Sequence, residues 1–322
     1  MFKKFYEAIA HPVEPIPNPR PRLEMAIKWL MFTATIMLLG LMSAFYPIQA
    51  NIPFIVIPSF LCLLFAKPVL FEKMKLTTLV VVRTFCVLCV CFPLINGFSM
   101  TQFYVDLVQL ALVVNILEAT FTDLLRHKKY FNAVSGFFLA LGTVGLKGHW
   151  LAGATADPLG LNYYLVFGAT NYATICYIIG YTIWNWIFVT DEFSPSVSLM
   201  HVGFLLSPII GCLAAMTAGI ETINPFGLWL LLRANTLSIG GWLQISCKHW
   251  FEREFYDEKF AHFINFVHTT PVQIVCMLAC IGLMLGCMIP AFMMEGYYPF
   301  GFQLEPWIYG GDWSFAATPA GF

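Results

Sequence analysis

Charge is what this sequence has least of. Only 11% of its 322 residues are Asp, Glu, Lys or Arg, against about 25% in an ordinary soluble domain. The few charges nearly cancel, at a net of −1. There is thus no basic surplus, and no basic patch interleaved with aromatics, to meet a nucleic acid. A cleavable secretory leader is also absent: residues 1–22, MFKKFYEAIAHPVEPIPNPRPR, are basic and proline-rich where a leader would be apolar. The first apolar run is therefore expected to act as its own uncleaved signal. Nucleotide-binding loops and HExxH are missing, and no two histidines stand at a zinc-ligand spacing. The last apolar run has no lysine, which removes a retinal Schiff base there. The sequence therefore offers no metal ligands, and the cofactor is left unknown. Ten cysteines are present, but most lie inside apolar runs, Cys86-x-x-Cys89 among them. There they read as small lipid-tolerated side chains rather than a disulfide framework.

What fills the chain instead is hydrocarbon. Hydrophobic residues make up 59% and aromatic residues 16%, and the mean hydropathy is +0.75. Nine apolar runs approach the roughly 20 residues that a helix needs to cross a bilayer: 25–45, 52–71, 76–94, 101–125, 130–147, 164–188, 197–217, 225–245 and 271–293. The expected fold is an all-α polytopic bundle of nine transmembrane helices over residues 23–293. A basic, proline-rich arm at 1–22 precedes it, and a tail at 294–322 rich in aromatics, Gly and Pro follows. Lys and Arg gather in alternate loops: Lys3, Lys4, Arg20 and Arg22; Lys67, Lys73 and Lys75; Arg126, Lys128 and Lys129; Lys248, Arg253 and Lys259. The positive-inside rule then puts the N-terminus inside and the C-terminus outside. Glycines 136, 142, 145 and 148 make the fifth run the weakest helix, open to a broken or re-entrant form. The segment 247–270 alternates aromatic and charged residues and reads as an interfacial amphipathic helix. The tail reads as an interfacial cap or a dock for partner membrane subunits.

Polar residues inside apolar runs point to function, because a buried carboxylate costs several kcal/mol unless it meets a partner or water. In the fourth run Asn115, Glu118 and Thr122 share one stripe, with Asp123 on its flank. The fifth aligns Asn132, Ser135, Gly136 and Thr143; the sixth, Asn171, Thr174, Tyr181 and Asn185; the eighth, Arg233, Thr236, Gly240 and Gln244. The first, second, seventh and ninth are nearly bare, and the third carries Arg83. At 1.5 Å per residue, Glu118 and Arg83 lie roughly 10 Å from the inner ends and Arg233 roughly 18 Å. An arginine stays charged when buried and needs an anion. The candidate site is therefore Asn115, Glu118, Asp123, Asn132, Trp184, Asn185, Arg233, Thr236 and Arg83, with Glu118 looking into a hollow shared by several helices. Trp184 and Trp186 could stack on a ligand or anchor in the interface. Asp191 and Glu192 read as solvated.

Asn115-Ile116-Leu117-Glu118-Ala119 with Asp123, Asn132-x-x-x-Gly136, Trp184-Asn185 and Arg233-Ala234-x-Thr236-Leu237 together resemble the motifs of a bacterial family of multi-pass inner-membrane proteins classed as a domain of unknown function. The likeness covers roughly residues 105–245. It departs at Thr122, where arginine is expected, and at Asn235, where histidine is expected. The resemblance implies a bacterial inner membrane and singles out Glu118, Asn185 and Arg233, but no reaction. Three functions stay open. One is a transporter-like protein for a small molecule or ion, with Glu118 as proton- or cation-sensitive carboxylate. Another is a membrane-embedded enzyme on a lipid or isoprenoid, with Glu118 and Asp123 as acid and base. The third is a structural subunit in which Glu118 and Arg233 pair.

Overall fold

The computed structural model describes residues 21–66, 73, 76–77, 79–81, 83–84, 101–146, 152–154, 163–165, 171–218 and 225–295. The N-terminal arm, the Cys86–Cys91 group and the tail beyond 295 lie outside these residues. The helices are α1 (Arg22–Phe45), α2 (Pro47–Asn51), α3 (Ile57–Phe65), α4 (Thr101–Thr122), α5 (Tyr130–Gly145), α6 (Asn171–Glu192), α7 (Pro195–Thr217), α8 (Trp229–Glu254), α9 (Glu258–Val267) and α10 (Thr270–Glu295). A π turn, Ile52–Val56, joins α2 to α3; another, Asp123–His127, prolongs α4. Two three-residue strands, β1 (Ala152–Ala154) and β2 (Tyr163–Leu165), pair antiparallel. Everything else that is regular among the described residues is helix.

Among the described residues five helical stretches are long and apolar enough to cross a membrane: Arg22–Phe45, Val108–His127, Tyr172–Glu192, Pro195–Thr217 and Thr270–Ile289. The glycine-rich fifth run forms one unbroken helix, α5, of 16 residues, or roughly 24 Å. Tyr164 and Leu165, expected to start the sixth helix, lie in β2, and α6 instead runs on to Glu192. The eighth helix likewise continues to Glu254 through a break at Cys247, whose φ is −118°. Pro195 opens α7 at its first turn, where the missing N–H is harmless. Pro208 lies in its interior, where it is not.

The helices pack as two groups. α6 is the most buried of the five long stretches, and α5 and α10 lie against it, with α4 on the far side of α5. In the second group α7 packs between α8 and α1, and α1 also meets α8. Small residues let these approach: a Cβ on Gly203 of α7 would come within 2.9 Å of Thr33 Oγ1 on α1. The two groups touch much less, along a seam where α6 meets α7 and α4 meets α8. The α4–α5 turn, the α6–α7 turn and the α8–α9 connection all lie at one end, hereafter the turn end. There Lys28 of α1 bridges Glu24 and Glu254 at 2.5 Å each, and Arg22 meets Asp257 at 2.9 Å.

Asp257 also caps α9, accepting from Phe260 N at 2.9 Å. Burial works against its charge, but the Phe260 amide and Arg22 outweigh it and hold the carboxyl below its ordinary 3.8. A carboxylate with a depressed folded pKa stabilises above its unfolded value and stops doing so as pH falls through the folded one. Amide-exchange protection in the first turn of α9 is expected to be steady from neutral pH down to about 4 and to fall below that. Asp257→Ala should remove about 1 kcal/mol of it at neutral pH.

Candidate functional site

The outward face of α4 is the first surprise. Leu110, Val114, Phe121 and Leu125 are exposed, and Glu118 lies among them, exposed as well. Val108, Gln109, Leu112, Ile116, Ala119, Thr120 and Asp123 face in. Among the described residues no hollow surrounds Glu118, and no ion pair joins it to Arg233. Thr122 on the same stripe donates to Glu118 O of its own helix at 2.9 Å. The residue on the flank, Asp123, is the one withdrawn from solvent, with no exposed surface.

Asp123 begins the π turn that ends α4. The chain then reverses through Lys128, whose φ of 56° and ψ of 33° are left-handed, and Lys129 N donates to Asp123 O at 2.8 Å. Closure through a left-handed residue is a helix stop normally given to glycine. It brings Asn132 of α5 back onto Asp123, donating from Nδ2 to Oδ2 at 2.6 Å. The other oxygen, Oδ1, lies 3.3 Å from His127 Nδ1. The end of α6 supplies the rest: Asp191 Oδ2 is 3.2 Å from His127 Nδ1, and Glu192 Oε2 is 2.9 Å from His127 Nε2. Lys129 holds Asp191 Oδ1 at 2.9 Å and Arg126 holds Glu192 Oε1 at 3.3 Å. Each of three carboxylates thus has one oxygen tied to an outer partner and turns the other to one imidazole. His268, just before α10, contacts Thr190 Oγ1 through Nε2 at 2.9 Å. Burial, with Lys129 nearby, lowers its pKa below 6.5.

A second polar centre lies on the seam. Arg233 of α8, 1% exposed, donates Nε to Tyr181 Oη at 3.1 Å and Nη2 to Asn185 Oδ1 at 3.4 Å, both on α6. It also stands over the Tyr181 ring, 5.4 Å from its centroid. Its third acceptor is Phe204 O of α7 at 3.4 Å. Pro208 lacks the N–H that would take that carbonyl four residues back, so the proline in α7 frees the acceptor that Arg233 uses. All of these partners are neutral, and no described ion pair involves Arg233. Beyond Tyr181, its neighbour Tyr177 bonds Thr143 at 2.6 Å, and Gln109 donates to Thr143 O.

The remaining expected site residues are scattered around these two centres. Arg83 donates to Ser238 at 3.1 Å, and with Asn115 and Ser238 it lines a cavity of about 40 Å³ whose other walls are apolar. That is room for a few waters, not for a solute. Thr236 is fully buried but bonds Arg233 O of its own helix and packs its methyl towards Gly40. Trp184 is core rather than interface, stacked on Phe188 with ring centroids 6.1 Å apart. Trp186 instead meets Phe260 of α9. The structure thus joins Asp123 with Asn132 and Asn185 with Arg233, and leaves Glu118, Trp184 and Thr236 out of both centres.

His127, Asp191, Glu192 and His268 are the residues that sequence reasoning missed. The Asp123-x-x-x-His127 spacing at a helix end was a readable sign. The seventh run, read as nearly bare, buries His201, which meets Gln244 at 2.8 Å.

Gly136 marks how closely α4, α5 and α6 meet beside this site. A Cβ there would run into Thr120 Oγ1 and lie 2.7 Å from Trp184 Nε1. Gly136→Ala is expected to destabilise by about 1–3 kcal/mol through overpacking, seen as a lower melting midpoint of the detergent-solubilised protein, whereas Gly282→Ala, with nothing within 4 Å, should not shift it downwards.

Comparison with protein-family models, with curated proteins and with solved structures finds no match to this chain.

Proposed function

We propose that this is a nine-span protein of the bacterial cytoplasmic membrane, N-terminus inside and C-terminus outside, acting as a transporter-like carrier for a small solute with an anionic or carbonyl group. The turn end is then cytoplasmic. It gathers Arg22, Lys28, Arg126, Lys128, Lys129 and Arg253, which is the excess the positive-inside rule expects. α9 lies there with Phe263 and Phe266 exposed, in keeping with an interfacial helix.

The observation that carries the transport reading is Arg233. A guanidinium this deep stays charged, and leaving it among neutral acceptors is expensive unless an anion completes the site. It also sits where the two helix groups meet, and a seam between two rigid groups is where carriers of alternating access place their solute. On this reading Arg233 anchors the solute, Asn185 and Tyr181 orient it, and a rocking of α1, α7 and α8 against α4, α5, α6 and α10 opens the seam. The packed core corresponds to a closed state. Asp123, rather than Glu118, is the cation- or proton-sensitive carboxylate.

Purified protein in proteoliposomes, offered a panel of radiolabelled small carboxylates and phosphates, should take up at least one of them. Arg233→Gln should cut that flux more than tenfold, while Arg233→Lys retains part of it. No uptake by the wild-type chain, or full flux in a folded Arg233→Gln variant, defeats the reading. Orientation is checked separately. An alkaline phosphatase fused after residue 322 should be active, and one fused after His262 should be silent.

A further inference from the structure

The geometry points to a binding site for one divalent first-row transition-metal ion at the turn end, held by Asp123 Oδ1, His127 Nδ1 and Asp191 Oδ2. The three atoms lie within 4.8 Å of one another. The imidazole nitrogen stands 3.3 Å from the first oxygen and 3.2 Å from the second. Two ligands at about 2.1 Å from one ion are about 3.0 Å apart at a right angle and about 3.4 Å apart at the tetrahedral angle. Both separations fall in that interval.

Orientation makes the same case. Nδ1 of His127 faces Asp123 Oδ1 and Asp191 Oδ2 at 3.3 and 3.2 Å, while Glu192 Oε2, 2.9 Å from Nε2, accepts no hydrogen bond from a described residue. A proton on Nδ1, or a metal ion in its place, supplies the positive charge that these oxygens share. The second oxygens of Asp123, Asp191 and Glu192 are already engaged by Asn132, Lys129 and Arg126. The ligand atoms are thus aimed by outer partners, as metal ligands usually are. The three carboxylates outnumber the two outer cations, Lys129 and Arg126.

Two further buried atoms beside the ligand residues lack a hydrogen bond among the described residues. Asn132 is 1% exposed, and its Oδ1, on the amide that bonds Asp123, has no donor. His268 Nδ1 is also buried without a hydrogen bond, 3.9 Å from Asp191 Oδ1. Thr190 gives its hydroxyl proton to Trp186 O, so it accepts from His268 Nε2 and leaves Nδ1 an acceptor. Both are acceptors left without a donor, on side chains that touch Asp123 and Asp191. One imidazole with two carboxylates suits zinc, manganese or ferrous iron better than calcium or magnesium, which prefer oxygen alone.

This site is distinct from the solute anchor at Arg233, and binding is measured without transport. The full-length protein, purified in detergent on a tag free of histidine and stripped with EDTA, is dialysed against Zn²⁺ or Mn²⁺ and its metal counted. One saturable ion per chain is expected. His127→Gln and Asp191→Asn should each weaken binding at least tenfold, and Glu192→Gln by about 10–100-fold through loss of orientation. Glu118→Gln should bind like the wild type. Because Asp123 is buried, the decisive variant is Asp191→Asn, whose site is half open, with monodisperse elution and an unchanged metal-free melting point as the check on folding. Co²⁺ should give visible absorption bands that vanish in His127→Gln. Absence of saturable binding for both ions, or undiminished binding in folded Asp191→Asn and His127→Gln, overturns the site. Solute flux without metal binding leaves the Arg233 reading intact, and an ion bound without any flux counts against that reading alone.

Discussion

A guanidinium withdrawn from water constrains everything within reach of it, and Arg233 is that constraint here. It cannot lose its proton, so its surroundings must supply acceptors. Two come from α6 as Tyr181 and Asn185, and one from the backbone of α7 at Phe204. The last exists because Pro208 interrupts the helical ladder. One side chain thereby ties α8 and α7 to α6 across the thinnest contact in the bundle. An apolar cluster also runs across the seam, with Tyr177 and Tyr181 of α6 against Trp229 of α8, and Arg233 adds the polar ties.

Much of the helical architecture was legible in the sequence, because twenty apolar residues in a row admit few other structures. The facing of those helices was not. In a soluble helix the apolar stripe turns inward, and polarity tells the two faces apart. Hydrocarbon outside is as apolar as leucine inside, so α4 exposes Leu110, Val114 and Phe121 and buries Ile116 and Leu112 with no difference in kind. The polar stripe then carried the whole decision. Of that stripe Glu118 is exposed and Asn115 only edges a small cavity, whereas Asp123 on the flank is fully buried. The π turn contributes as well, since it departs from the 100° step on which stripe counting rests.

The parts of the site that went unread share a cause. Asp191 and Glu192 look solvated when taken as a loop dipeptide, and His127 looks like one of several scattered histidines. They acquire meaning only when α4 and α6 end at the same level, which is a tertiary fact. Phe204 O is harder still, being a backbone atom of an apolar residue. A proline inside an apolar run is its only trace in the sequence. Asn185 and Arg233, by contrast, were selected as inward-facing polar groups on separate helices, and they do meet.

The short reversal at Lys128 and Lys129 makes α4 and α5 one helical hairpin, with Asp123 and Asn132 nine positions apart in the chain. Their bond needs no other helix. The buried carboxylate can therefore take a hydrogen bond from its own hairpin partner before any other helix packs against the pair. The left-handed lysine, awkward as local geometry, is what allows that early pairing.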